Sequence, residues 1–534
     1  MTARGKGCRG WGRLGEGGCY SGESFDNEGR SKQLRHGRDG LGAEAVAAEM
    51  SAEASPASGH ALKRTLGLRD LVPMQILLVV GITWAGVAAK QGGTHIWFWV
   101  AAIVTLFVPL AAVVGWCARV WPLEGGVYQW TKFALGPFAG FMSAWNFGMW
   151  ALLAVSNVGI MTATSLSYGL GPRAAWMEEN HSLILWLSVG VFLLVLPVNL
   201  PGFKIGRWVA HFGTAVTVLV TLLLVALLFW HPHASAAHPH VDPQAPFSMA
   251  MPAITLFSVN LFSKIAFNSL SGLEQVAVFA GETRDAGRTI LRSAWIAAPI
   301  IAAIYILTTG SLLAYIPTAR VDLTGPVPQM LAAAFGSGAG SGAQGTDWGL
   351  MLGRGTILVL GLALVAQYAV LVAETSRLPM VAGWDGIVPA WFTRLDPRWK
   401  TPTRSIGTIV AVAIGLGVLA TYGTGAQEAF QLIVSVGNLF YGIYYLMMFS
   451  IPLVVGERFG VRAGWWLKVG ATSGIAVTLL ALGFNLLPIV DVANKAVFAA
   501  KVAGTALALN LVGVAIYWNG MRRMKRRETE TTEG

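Results

Sequence analysis

From Leu68 onward the chain alternates long apolar runs with short polar stretches bearing Gly or Pro, and about twelve runs approach the ~20 residues that carry a helix across a bilayer. They lie near residues 71 to 91, 96 to 119, 138 to 169, 182 to 200, 205 to 230, 253 to 281, 293 to 316, 353 to 375, 405 to 423, 428 to 455, 465 to 487 and 497 to 518. The pattern predicts an all-α membrane protein of about 12 transmembrane helices. The sixth run differs from the others, because LFSKIAFNSLSGLEQVAVFAGETRDAGRTILR, from Leu261 to Arg292, is interrupted at Asn268-Ser269-Leu270-Ser271-Gly272. Gly is a weak helix former, and Asn and Ser offer the backbone competing hydrogen bonds, so the helix is expected to open there. Freed backbone groups at that depth must face protein, water or a ligand. A broken helix near the midplane is a way to hold a small charged solute; the plainer alternative is a kinked packing helix.

Residues 1–65 are rich in Gly, Arg, Ser and Glu and carry no hydrophobic period, which predicts a disordered cytoplasmic tail. Within it Met50 opens a stretch that reads as an ordinary short tail, so residues 1–49 are a candidate over-extended start. Residues 66–520 are expected to form the transmembrane transporter domain, and 521–534 a cytoplasmic basic tail. An even number of spans puts both termini on one side. Arg522, Arg523, Lys525, Arg526 and Arg527 after the last run mark that side as the cytoplasm, and alternate loops carry Lys204 and Arg207, Arg284, Arg288 and Arg292, and Arg394, Arg398, Lys400 and Arg404. Between spans two and three, Trp121 to Pro137 reads as a short amphipathic helix at the inner interface. Outside, residues 317 to 350 read as a lid helix near 327 to 335 followed by a Gly/Ser linker.

Composition narrows the class. With 54% hydrophobic and 12% charged residues the chain is far from soluble composition. The net charge of +11 sits at the ends of apolar runs, so the partner it implies is the lipid bilayer and not nucleic acid. Cys8, Cys19 and Cys117 have no metal-ligand spacing. His231, His233, His238 and His240 are interrupted by Pro232, Pro239 and Pro243 and read as a solvated external loop. No phosphate-cradling loop, metal-ligand pair or activated nucleophile stands out, so neither an enzyme nor a cofactor is expected.

Three motifs then point the same way. The break in span six followed by Gly281-Glu282-Thr283-Arg284-Asp285, the stretch Pro122-Leu123-Glu124-Gly125-Gly126-Val127-Tyr128-Gln129-Trp130 with Gly136-Pro137, and Ser376-Arg377 with Asp385-Gly386-Ile387-Val388-Pro389 together resemble the amino acid, polyamine and organocation (APC) transporter family. The pattern is most similar to its glutamate/GABA antiporter-like branch. The resemblance implies an inverted five-plus-five repeat with broken helices 1 and 6, two C-terminal helices added, and a bacterial inner membrane location. Span one should then break in Gly81-Ile82-Thr83-Trp84-Ala85-Gly86, which departs from the family's Gly-rich signature by carrying Trp84.

By the same resemblance, freed amides of span one around Trp84 to Val87, with Thr83, Ala85 and Gly86, would meet a substrate carboxylate. Carbonyls around Phe267, Asn268, Ser269, Leu270, Ser271 and Gly272 would accept from its ammonium. Trp150 and Asn157, Gln367 and Tyr368, and Tyr441 and Tyr445 would line the side-chain pocket. Asn268 replaces a bulky aromatic gate, a role that would pass to Phe267 or Phe262. The small-molecule partner is therefore expected to be an amino acid, with a polyamine as the alternative if several carboxylates line the cavity.

Three titratable residues are coupling or gating candidates. Lys264 is a costly ammonium within span six that attracts an anion, pairs with a carboxylate or snorkels to the outer interface. Glu274, just past the break, is either a partly buried carboxylate, protonated in some states or hydrogen-bonded to span ten, or a structural cap. His211 either titrates near neutral pH or is a hydrogen-bonded packing residue. Span five carries no lysine near His211, and no carboxylate pair accompanies spans one and eight to argue for sodium. Exchange or proton symport remains.

Overall fold

A computed structural model describes residues 64–81, 83–121, 125–201, 203–229, 246–335, 347–379, 386–399, 401–421, 426–455, 463–487 and 494–533. The tail before residue 64, the His-bearing loop, the Gly/Ser linker and parts of two motifs (residues 122–124 and 380–385) lie outside them. Among the described residues the regular structure is helical, with one isolated parallel bridge between Leu66 and Thr283.

Each apolar run becomes a helix or a pair of helices. Span one is Leu68–Val79 and Thr83–Ala89, bent by 50° at the break between them. Span two is Gly92–Val120, span three Pro137–Leu170, span four His181–Asn199 and span five Phe203–Phe229. Span six is Leu256–Ser269 followed by a 3-10 segment, Gln275–Glu282; span seven is Ala286–Tyr315, span eight Asp347–Thr375 and span nine Thr403–Thr421. Spans ten, eleven and twelve are Ala426–Val454, Trp465–Phe484 and Lys495–Glu533. Nine of the described helices are long and apolar enough to cross a bilayer alone, ten if the bent pair counts as one. The other two runs fall short for physical reasons: span six is cut into a 14-residue helix and a 3-10 segment, and the apolar helical part of span nine covers only Thr403–Val418.

Local chemistry explains the irregularities. Pro109 in span two has no N–H to give the carbonyl of Thr105, a π turn forms at Ile103–Phe107, and that carbonyl instead accepts from Ser473 Oγ of span eleven at 2.7 Å. Gly136, at φ 99°, ends the amphipathic helix Val127–Leu135 and hands the chain to Pro137 at the start of span three. That amphipathic helix is not a free interfacial element, since Val127 to Thr131 are all buried against protein.

The spans pack as two groups. Span seven lies along spans one and two, and span six along the second half of span one; span eight and span four both lie along span three, and span nine packs on spans three and four. Spans five and ten join the groups, five against eight and seven, ten against three. The external helix Pro326–Ala334 agrees with the lid expected near 327 to 335 and packs on spans seven, eight, three and the second half of one.

Thr65 and Leu66 already donate their amides to the Glu282 carbonyl, and Arg284 donates back to Leu66, so ordered chain precedes residue 66. The last helix continues unbroken past residue 520, through the expected tail.

Candidate functional site

The break in span one lies between Val79 and Thr83, where Gly81 interrupts the helix and leaves several carbonyls of the first half without intrahelical donors. Two side chains from elsewhere supply them. Tyr305 of span seven donates its hydroxyl to Val79 O at 2.9 Å and accepts from the Gly81 amide at 2.9 Å. Gln367 of span eight places Nε2 2.6 Å from Leu77 O, with the carbonyls of Val80 and Leu78 at 3.4 and 3.5 Å. Three backbone oxygens thus converge on one amide nitrogen.

The break in span six runs from Leu270 to Glu274 and is built around Gly272, whose φ of 114° is open to glycine and strained for other residues. The Gly272 amide donates to the Tyr445 hydroxyl at 2.9 Å, and Leu273 O accepts from Gln75 Nε2 of span one at 3.0 Å. Glu274 is fully buried. Its carboxylate accepts from Tyr441 at 2.5 Å and from Tyr445 at 2.9 Å, while Tyr441 accepts from Gln275 Nε2 at 3.2 Å. Glu274 therefore bonds to span ten, as one sequence reading proposed; the cap reading fails, since its side chain makes no capping bond to the segment that follows.

Between the breaks lies a cavity of about 190 Å³. Thr83 and Trp84 of span one, Asn268, Ser271 and Gln275 of span six, Trp150 and Asn157 of span three, Gln367 and Tyr368 of span eight and Tyr441 of span ten all line it. Thr324 to Pro328 of the external segment close one wall. Trp150 stacks on Tyr441 with ring centroids 4.1 Å apart. Asn157 Oδ1 and Gln275 Oε1 are buried acceptors with no hydrogen-bond partner among the described residues. Among the described residues no charged side chain belongs to the lining.

Several expected site residues do not reach this cavity. Ala85 and Gly86 lie behind it because the helix has already restarted at Thr83: Ala85 packs with Val220, Leu224 and Val327, and Gly86 faces Pro326 so closely that an added Cβ would meet it at 2.7 Å. Ser269 and Leu270 are fully buried away from the lining, and the Gly272 backbone is engaged by Tyr445. Phe267 stands edge-on behind the rings of Tyr441 and Tyr445, at 5.8 and 5.5 Å. Tyr445 in turn holds Glu274 instead of facing the cavity.

Lys264 is 3% exposed, which rules out snorkelling; it makes no ion pair among the described residues and does not line the cavity. His211 is hydrogen-bonded, 3.4 Å from Asp70 near the start of span one, with its side chain about a third exposed. Sequence reasoning missed Gln275, Asn438 and the external Thr324 of the lining. It also missed Glu374, which is fully buried at the end of span eight and has no hydrogen-bond partner on either oxygen among the described residues. Its only signal was position, the single carboxylate within the apolar run 353 to 375.

A family model described as amino acid permease matches residues 66–510. The chain belongs to that family. It is 26% identical to the branched-chain amino acid permease BcaP of Bacillus subtilis, over 71% of this chain and 81% of that protein. It is also 26% identical to the low-affinity putrescine importer PlaP of Escherichia coli, over 69% of this chain and 77% of that one. In fold it is similar to MhsT, solved in complex with L-phenylalanine, with a TM-score of 0.56 at 13% identity over 79% of this chain and 98% of that one. This amino acid permease family member is a multi-pass membrane transporter of small molecules and not an enzyme.

Proposed function

We propose that this permease is a secondary active transporter of amino acids with apolar side chains, working by alternating access as an exchanger or proton symporter, with both termini in the cytoplasm of a bacterial inner membrane. One observation carries the reading: a cavity between two broken helices whose lining mixes uncharged polar groups with apolar side chains and, among the described residues, holds no charged side chain. A net-neutral zwitterion fits such a lining, because an uncompensated charge there would be desolvated without a partner. Its ammonium has acceptors in Asn157 Oδ1 and Gln275 Oε1. Its side chain would lie among Met161, Leu360, Leu364, Phe430 and Ile433. The expected residues that line the cavity, Thr83, Trp84, Trp150, Asn157, Asn268, Ser271, Gln367, Tyr368 and Tyr441, would form the binding site within a transporter domain of residues 66–520. The similarity to a branched-chain amino acid permease, BcaP, and to MhsT, solved with L-phenylalanine bound, supports this class.

Similarity to PlaP favours a second reading, a polyamine permease, and the uncharged lining argues against it. Purified protein in proteoliposomes separates the two. Labelled leucine, phenylalanine, glutamate, GABA and putrescine are offered with and without unlabelled internal solute and an imposed pH gradient. Entry of apolar amino acids is the expected result; uptake confined to putrescine would overturn it.

A further inference from the structure

Glu374 is the buried group that the substrate site does not use. It sits in the last turn of span eight, fully buried, and among the described residues neither carboxylate oxygen meets a hydrogen-bond donor. An ionised carboxylate in that setting is costly, so a buried carboxyl with no donor calls for a ligand or a proton. The charges that reach it are those of Glu274, at the break of span six, and Arg377, just past the end of span eight; Tyr444 of span ten lies within reach of both glutamates. Arg377 is divided among several partners, its Nε 2.5 Å from Glu282 Oε1 and its Nη1 2.6 Å from Ala373 O. Glu274, Glu282 and Glu374 are all buried, and the guanidinium of Arg377 is bonded to Glu282. The two glutamates 274 and 374 are not equivalent, since Glu274 accepts two tyrosine hydroxyls and Glu374 accepts none.

We propose that Glu374 carries the proton that couples transport to the proton gradient, with Glu274 as its ionised counterpart. This inference rests on the transporter reading above and adds the coupled ion. Hydrogen bonds to the charged form leave the charge on Glu274, and the proton of the pair is held by Glu374. A metal cation is a poor alternative: Glu274 has spent both oxygens on hydroxyls, and no cluster of three or more His, Cys, Asp or Glu ligands occurs among the described residues. The pair also straddles the two packed groups of spans, Glu274 on span six and Glu374 on span eight. Rocking one group against the other brings the carboxyls together or parts them, and two like charges can approach in a dry pocket only after one is neutralised. Tyr441 links this pair to the cavity, since it both lines the cavity and bonds to Glu274. Binding of substrate against Tyr441 and protonation of Glu374 would thereby favour the same closed state.

The test uses the full-length protein in proteoliposomes with the best amino acid from the panel. Counterflow, driven only by unlabelled internal substrate, and accumulation against a gradient, driven only by an inward proton gradient, are measured for the wild type, E374Q and E374D. The expected result is that E374Q retains counterflow and loses accumulation and its pH dependence, while E374D retains both. Accumulation by E374Q equal to the wild type would overturn the assignment, as would a wild type that exchanges substrate without any proton-driven accumulation or accumulates it only with a sodium gradient. If E374Q does not fold, substrate-induced proton entry into wild-type vesicles loaded with a pH dye decides the matter: no proton movement during uptake overturns the proposal. A wild type that transports no amino acid in either assay sinks the transporter reading itself, which keeps the two failures apart.

Discussion

Gln367 and Tyr441 act on different parts of the breaks, and single substitutions separate them. Gln367→Leu leaves the carbonyls of Leu77, Leu78 and Val80 without the amide that gathers them, and unmade buried hydrogen bonds cost about 1–3 kcal/mol each. The expected outcome is a lowered melting temperature in detergent together with lost uptake; an unchanged melting temperature would show that the carbonyls find other partners. Tyr441→Phe keeps the ring against Trp150 and removes the 2.5 Å bond to Glu274. A hydrogen bond to a charged group contributes about 1.5–3 kcal/mol, so the variant should stay folded with impaired transport. Equal uptake by the variant and the wild type would disconnect Glu274 from the substrate cavity.

At the scale of elements, the broken halves of spans one and six depend on glycine where the backbone turns. Gly272→Val places a β-branched residue at φ 114°, where strain costs roughly 1–3 kcal/mol, and its Cβ would meet Gln275 Nε2 at 3.0 Å and Val79 Cγ2 at 3.2 Å. The expected outcome is normal membrane insertion with uptake lost, because the change distorts the loop that carries Glu274 and Gln275. A variant with wild-type uptake would mean that this loop is not part of the site. The sequence Asn268 to Gly272 announced the opening through its own local chemistry. The fate of the freed groups was hidden, since Tyr305, Tyr445, Gln75 and Gln367 come from other spans, 173 to 290 residues away in the chain.

The whole molecule has to let the two groups of spans move while keeping its ends tied. On one side, the Arg377 and Glu282 pair joins spans six and eight, with the guanidinium also 5.3 Å from the Phe279 ring centroid. Breaking a buried pair by removing one partner costs about 3–5 kcal/mol, so Arg377→Ala should lower the melting temperature far more than Arg288→Ala, whose exposed contact with Asp285 contributes little. Equal melting temperatures for the two variants would deny the buried pair a structural role. On the other side, Pro326 sits against Gly86 and Thr324 to Pro328 cover the cavity. Gly86→Leu should hold that segment away and slow uptake without preventing insertion, measured as transport per inserted protein.

The sequence by itself determined that this chain is an α-helical membrane protein, where its helices run and that the sixth is broken, because hydropathy, glycine and the competition of Asn and Ser side chains for the backbone are local properties. It also carried the family, through motifs whose residues are close together in the chain. Only the tertiary structure decided which residues meet. Ala85 and Phe267 are as near in sequence to the breaks as Trp84 and Asn268, yet the turn of each helix directs one pair behind the cavity and the other into it. Glu374 reads in sequence as the polar end of an apolar run, and only the packing around span eight buries it completely with neither oxygen bonded among the described residues. The physical reason is that a side chain's cost and use are set by what surrounds it, and in this fold those surroundings come from helices far apart in the chain.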